Sequence, residues 1–148
     1  MSYDQLDAIA DVYIPLLILI SVGVVVFAFH EKSIASTKNL LVVLGLGICQ
    51  TYGIMLLDNT LSIWPSFGLD YSTHTSLALV FVVFLSFVNR IYFAGSVFSM
   101  LIYVVLMLYQ EYHSVLDIVT TTIVVLPGLI WLNIKWGISG YPLITDQF

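Results

Sequence analysis

The stretch VYIPLLILISVGVVVFAF, residues 12–29, decides the fold class: it holds eighteen residues and not one charged side chain. A helix over it covers most of the roughly 30 Å of hydrocarbon in a bilayer. A strand reading fails, because the run is too long and lacks a period of two. Pro15 falls inside it, which membrane helices tolerate where neighbouring helices satisfy the freed carbonyl. Before it stands MSYDQLDAIAD, acidic where a secretory signal would be basic and with no small-residue cleavage site after it, so the helix is expected to be retained.

Working outward, four more apolar runs follow at 40–57, 75–88, 92–109 and 115–134, the last containing Pro127. The third is short for a crossing, which sets its outer end at the polar stretch just before it. The expected fold is all-α: a polytopic membrane helix bundle of about five transmembrane helices, forming one integral-membrane domain over residues 1–148.

Composition narrows the function classes. Apolar residues make up 60% of the chain and charged residues 9%, against about 45–50% and 25% in soluble domains. Mean hydropathy is +1.05. A soluble enzyme and a disordered chain are excluded, and so is a nucleic-acid binder, since four Lys and Arg face nine Asp and Glu for a net charge of −5. The single Cys49 cannot form an internal disulfide, and no Cys/His group has zinc-ligand spacing, so neither metal nor cofactor is expected.

Positive charges gather in cytoplasmic loops of membrane proteins. Lys32 and Lys38 flank the first turn, Arg90 lies in the third and Lys135 follows the fifth run. With five crossings all four share a side, placing the N-terminus outside and the C-terminus in the cytoplasm. Trp131 and Trp136 suit interfacial anchors on that side. Asp4, Asp7, Asp11, Asp58, Asp70, Glu111 and Asp117 map to the opposite, extracytoplasmic face. A single cytoplasmic membrane is the simplest location.

Ionisable groups at the edge of a membrane helix are functional candidates by default. Two clusters qualify: Asp70-Tyr71-Ser72-Thr73-His74-Thr75-Ser76 before the third run, and Glu111-Tyr112-His113-Ser114-Val115-Leu116-Asp117 before the fifth. The spacing between the histidines equals one helix down, a tight turn and one helix back, so both return to one face. On a helix, His113 and Asp117 share a face. A carboxylate there fixes the imidazole tautomer and leaves the other nitrogen as a nucleophile, while His74 serves as proton donor to a leaving oxygen. Helix N-termini favour an anion, and Tyr71, Ser72, Thr73 and Thr75 add hydroxyls. Ser72 reads equally as a helix N-cap. Asp70 and Glu111 read as solvated, though Asp70 also stands four residues before His74. Small residues at Gly45, Gly47, Gly95 and Ser96 suit close helix contacts.

This pattern resembles the type 2 phosphatidic acid phosphatase superfamily, which includes lipid phosphate phosphatases and is related to sphingomyelin synthases. There a Ser-Gly-His stretch opens one membrane helix and a His-x-x-x-Asp stretch opens the helix two crossings later. Ser72-Thr73-His74 is similar to the first, with Thr73 in place of Gly, and His113 to Asp117 is similar to the second. The resemblance spans about a third of the chain. It implies His113 as nucleophile forming a phosphohistidine, Asp117 orienting it, His74 as general acid and Ser72 at the phosphate. The family's Lys-x6-Arg-Pro motif is absent, and Met107 stands where an Arg precedes the second histidine. Without cationic clamps, a phosphodiester or zwitterionic lipid suits the face better than a phosphate monoester.

Two functions stay open at this point. One is a membrane lipid phosphatase or phosphotransferase whose partner is a lipid with a phosphate-containing headgroup. The other is a non-catalytic membrane subunit or lipid-binding pseudoenzyme. A second copy of the chain or another membrane protein is open as a partner of either.

Overall fold

Each apolar run becomes a helix. The computed structural model describes residues 3–31 and 34–136, as α1 (Tyr3–Glu31), α2 (Ile34–Leu61), α3 (Thr73–Ser86), α4 (Arg90–Tyr109) and α5 (Val115–Trp136), with a 3-10 turn at Pro65–Phe67. Four of the helices are long and apolar enough to cross a membrane. Their outer faces carry large apolar side chains such as Leu19, Ile91, Leu101 and Leu116, each at least 60% exposed. A surface of that kind is stable against hydrocarbon and not against water. The chain is a helical membrane protein.

The third helix differs from the other four. Its 14 residues rise only about 21 Å, short of the hydrocarbon thickness. Almost every residue from Thr75 to Leu85 is buried, and the helix packs against α1, α2, α4 and α5. A helix apolar all round belongs inside a protein, and α3 is the core around which the other four stand. Gly47 on α2 permits part of this packing, since a Cβ there would lie 2.9 Å from a Val80 methyl.

Local chemistry sets the helix ends. Asn89 caps α4, its side chain accepting from Tyr92 N–H at 2.9 Å, which makes the turn after α3 tight. At the other end of α4, the Tyr112 N–H donates to the Met107 carbonyl and the Glu111 N–H to that of Leu108. This is a Schellman closure with Glu111 left-handed at φ 58°, where glycine is usual. Pro127 lies inside the continuous α5. Near it the Gln50 amide of α2 donates to the Val125 carbonyl at 2.9 Å, tying the two helices together.

Residues 62–72 fold back onto the bundle. The Asp58 carboxylate accepts from Trp64 N–H at 2.8 Å, the Trp64 indole N–H donates to Thr120 Oγ1 at 3.0 Å, and Gly68 at φ 70° closes the turn. Alternating helix directions gather Lys38, Arg90 and Lys135 at one end of the bundle, while Asp58, Asp70, Glu111 and Asp117 occupy the other. Lys32 lies outside the described residues. Lys135 sits over the Trp131 ring, with its ammonium 4.6 Å from the centroid.

Candidate active site

The start of α3 is fastened by hydroxyls. Ser72 Oγ accepts from Thr75 N–H at 3.2 Å and donates to Thr75 Oγ1 at 2.8 Å, so it is the N-cap, and both side chains are fully buried. Thr121 of α5 accepts from the Ser72 N–H at 3.0 Å. The Tyr71 hydroxyl reaches the Thr51 carbonyl of α2 at 3.1 Å and Ser76 Oγ at 2.7 Å. Of the four hydroxyl residues expected to meet a substrate, Ser72, Thr75 and Tyr71 have their hydroxyls committed to holding α3 in place. Thr73 lines the cavity beside His74, and Tyr71 borders it with its hydroxyl already engaged. Buried hydroxyls at Thr51 and Thr121 complete the fastening; sequence reading missed both, as each sits inside an apolar run with no local marker.

This anchoring turns His74 outward in the first turn of α3. There it meets His113, with ring centroids 6.4 Å apart and planes inclined by 52°. A cavity of about 310 Å³ is bordered by both rings together with Asp58, Asp70 and Thr73. The two histidines come from separate helix starts, linked by a descending α3 and an ascending α4. A cavity of this volume holds a tetrahedral phosphoryl group with both imidazoles on its border.

The acid beside His113 is Asp70, its Oδ2 lying 3.8 Å from His113 Nδ1. Asp117, expected there from the four-residue spacing, has other partners. Its Oδ1 accepts from the Asp70 N–H at 2.8 Å and its Oδ2 from the Ser114 N–H at 2.8 Å. Ser114 Oγ in turn accepts from the Asp117 N–H at 3.2 Å, a reciprocal capping box at the start of α5. Asp117 thus pins the Asp70 backbone to α5 and sets the Asp70 side chain near His113. Its own charge ranks after that of Asp70 in favouring the protonated imidazole.

Burial dominates the electrostatics of His113, whose side chain is 10% exposed. It pushes the imidazole below its ordinary value, Asp70 and Asp117 partly oppose this, and His74 adds to the depression. Burial thus favours the neutral form of His113, the form a nucleophile needs. Its Nδ1 is buried without a hydrogen-bond partner, 3.8 Å from a carboxylate that is 73% exposed and free to swing.

Among the described residues no three His, Cys, Asp or Glu side chains converge as a metal site, and the end of the bundle that holds both histidines has no Lys or Arg. No protein-family model, curated protein or solved structure matches the chain.

Proposed function

We propose that the chain is a membrane phosphoester hydrolase or phosphotransferase acting on a lipid headgroup at the bundle end where α3 and α5 begin. The observation that carries this reading is the pair of imidazoles from two helix starts, 6.4 Å apart on the border of one open cavity. His113 attacks phosphorus through Nε2, because Nδ1 faces Asp70. The electron pair forms the N–P bond as the P–O bond breaks, and His74 donates a proton to the departing oxygen. Water or a lipid hydroxyl then attacks phosphorus, its own proton passing to His74 as the N–P bond breaks, which restores His74 as the acid and leaves His113 neutral. The positive end of the α3 dipole faces the gap. Lys38, Arg90 and Lys135 cluster at the far end, which by the positive-inside rule favours an extracytoplasmic site.

The test is turnover by purified protein in nanodiscs, with headgroup and phosphate release followed across a panel of phospholipids. His113→Ala should lower it to background and His74→Ala by about 10²–10⁴-fold, the usual worth of a positioned acid. Undiminished turnover in His113→Ala refutes the mechanism. The absence of Lys and Arg from this end, among the described residues, favours one other reading, a lipid-binding subunit without catalysis. Orthovanadate separates them: stabilisation that is lost in either histidine variant belongs to the enzyme, and none to the subunit.

A further inference from the structure

His74 stands between two cavities. On one side is the gap it shares with His113. On the other is a second cavity of about 310 Å³ between α1, α3 and α4, lined among others by Asp11, His74, Tyr103, Met107 and Tyr112. Its walls are held in place. Tyr13 stacks on Tyr103 with centroids 4.2 Å apart, and the Tyr112 hydroxyl donates to Asp7, tying α1 to the α4–α5 connection. The walls therefore include two phenol rings, a thioether, an imidazole and one carboxylate, with no Lys or Arg.

Few ligands suit such a lining. An anion meets the Asp11 charge with no Lys or Arg to offset it. Magnesium and calcium require several oxygen ligands in a defined shell, and a single carboxylate does not supply one. An alkylammonium group is large, weakly hydrated and singly positive, and aromatic faces with one carboxylate are what attracts it. We propose that this cavity binds the alkylammonium group of a zwitterionic phospholipid, with the phosphate of the same headgroup in the His74–His113 gap.

The proposal rests on the phosphoester reading for the second half of that placement. A two-carbon bridge separates ammonium from phosphate in such headgroups, which matches two cavities sharing one ring as their common wall. A lipid source is preferred to a free amine because of an adjoining groove of about 410 Å³ between α1 and α4. It is lined by apolar side chains such as Val12, Leu16, Ile102 and Leu106, and it shares Tyr103 with the ammonium cavity. An acyl chain lying there leads directly to the polar pocket.

Tetramethylammonium is the probe, titrated calorimetrically into the full chain in phosphatidylglycerol nanodiscs, with sodium as the control ion. Binding is expected for the native chain, weakened at least tenfold in Asp11→Asn, restored in Asp11→Glu and retained in His113→Ala. Phosphatidylcholine nanodiscs should suppress it, because the lipid headgroup already fills the cavity. Failure of tetramethylammonium to bind, or equal binding by Asp11→Asn, overturns the proposal, and equal affinity in the two nanodiscs overturns its lipid assignment. The phosphoester reading fails separately, through turnover that survives His113→Ala while tetramethylammonium still binds.

Discussion

Replacing Asp117 with alanine separates two roles for this residue by the quantity each would change. Asp117 is 7% exposed, and its two oxygens each accept a backbone N–H at 2.8 Å, from Asp70 and Ser114. A hydrogen bond to a charged group contributes about 1.5–3 kcal/mol. The low end applies at a half-wet rim, so two bonds amount to about 3 kcal/mol. Near 150 residues, each kcal/mol moves the unfolding midpoint by about 2–4 °C, which gives a fall of about 6–12 °C for Asp117→Ala. Asp117→Asn keeps one acceptor oxygen and should lose about half as much. Thermal unfolding in one detergent, read by circular dichroism, supplies both numbers. Turnover should fall as well, because Asp70 is no longer held near His113, and Asp70→Asn should lower turnover while leaving the midpoint nearly unchanged. The reasoning is refuted by an Asp117→Ala protein that melts with the native chain yet is inactive; the carboxylate would then act on the imidazole itself.

Two other expectations follow from the same rim. Glu111 is left-handed at φ 58°, a conformation that costs a side-chain-bearing residue about 1–2 kcal/mol, so Glu111→Gly should raise the midpoint by about 2–8 °C and Glu111→Ala should not; a lower midpoint for the glycine variant would disprove the backbone assignment. Burial depresses the His113 imidazole below the ordinary 6.5, so below that pH the unfolded chain takes up the proton first. Stability should be full above pH 6.5 and decline as pH falls toward the folded value. That slope should vanish in His113→Asn, and the acid limb of kcat/KM should lie below 6.5; a limb above 6.5 would contradict the burial.

The five helices were legible because each is written as a mostly apolar run, and the shortness of the third was visible in the run itself. What composition could not convey was the reason. At 14 residues α3 is surrounded on all sides by the other four helices, and the hydropathy of a buried helix does not differ from that of a lipid-facing one. Helix α1 begins at Tyr3, nine residues before the expected span, because polar turns continue a helix beyond the hydrocarbon without an apolar signal. The pairing of the two histidines followed from counting a helix down and a helix back. Asp117 illustrates the limit of periodicity. The i, i+4 rule puts two residues on one face only when both are helical, and His113 precedes the first residue of α5, Val115. The acid that does approach His113, Asp70, stands 43 positions earlier in the chain, and no local pattern relates the two.

The two halves of the site are built with different stiffness, and this bears on how it would work. His74 belongs to the helix that every other helix grips, with its cap buried and the Ser72, Thr75 and Ser76 hydroxyls engaged. His113 belongs to a connection of five residues, 110–114, that is shaped by a strained Glu111 and held from outside by Asp7 on Tyr112 and Asp117 on Ser114, with no hydrogen bond on the His113 Nδ1. A hydrogen bond from Nδ1 to Asp70 requires an approach from 3.8 Å to about 2.8 Å. Within the phosphoester reading, that closing movement of about 1 Å falls to the His113 connection and the exposed Asp70 side chain, because α3 has nowhere to go. Neutral His113 has little attraction for the carboxylate until its other nitrogen begins to bond to phosphorus and positive charge develops on the ring. Asp70 would then contribute more to the transition state than to the resting protein, which is the condition for a charge to accelerate a reaction and not merely bind its substrate.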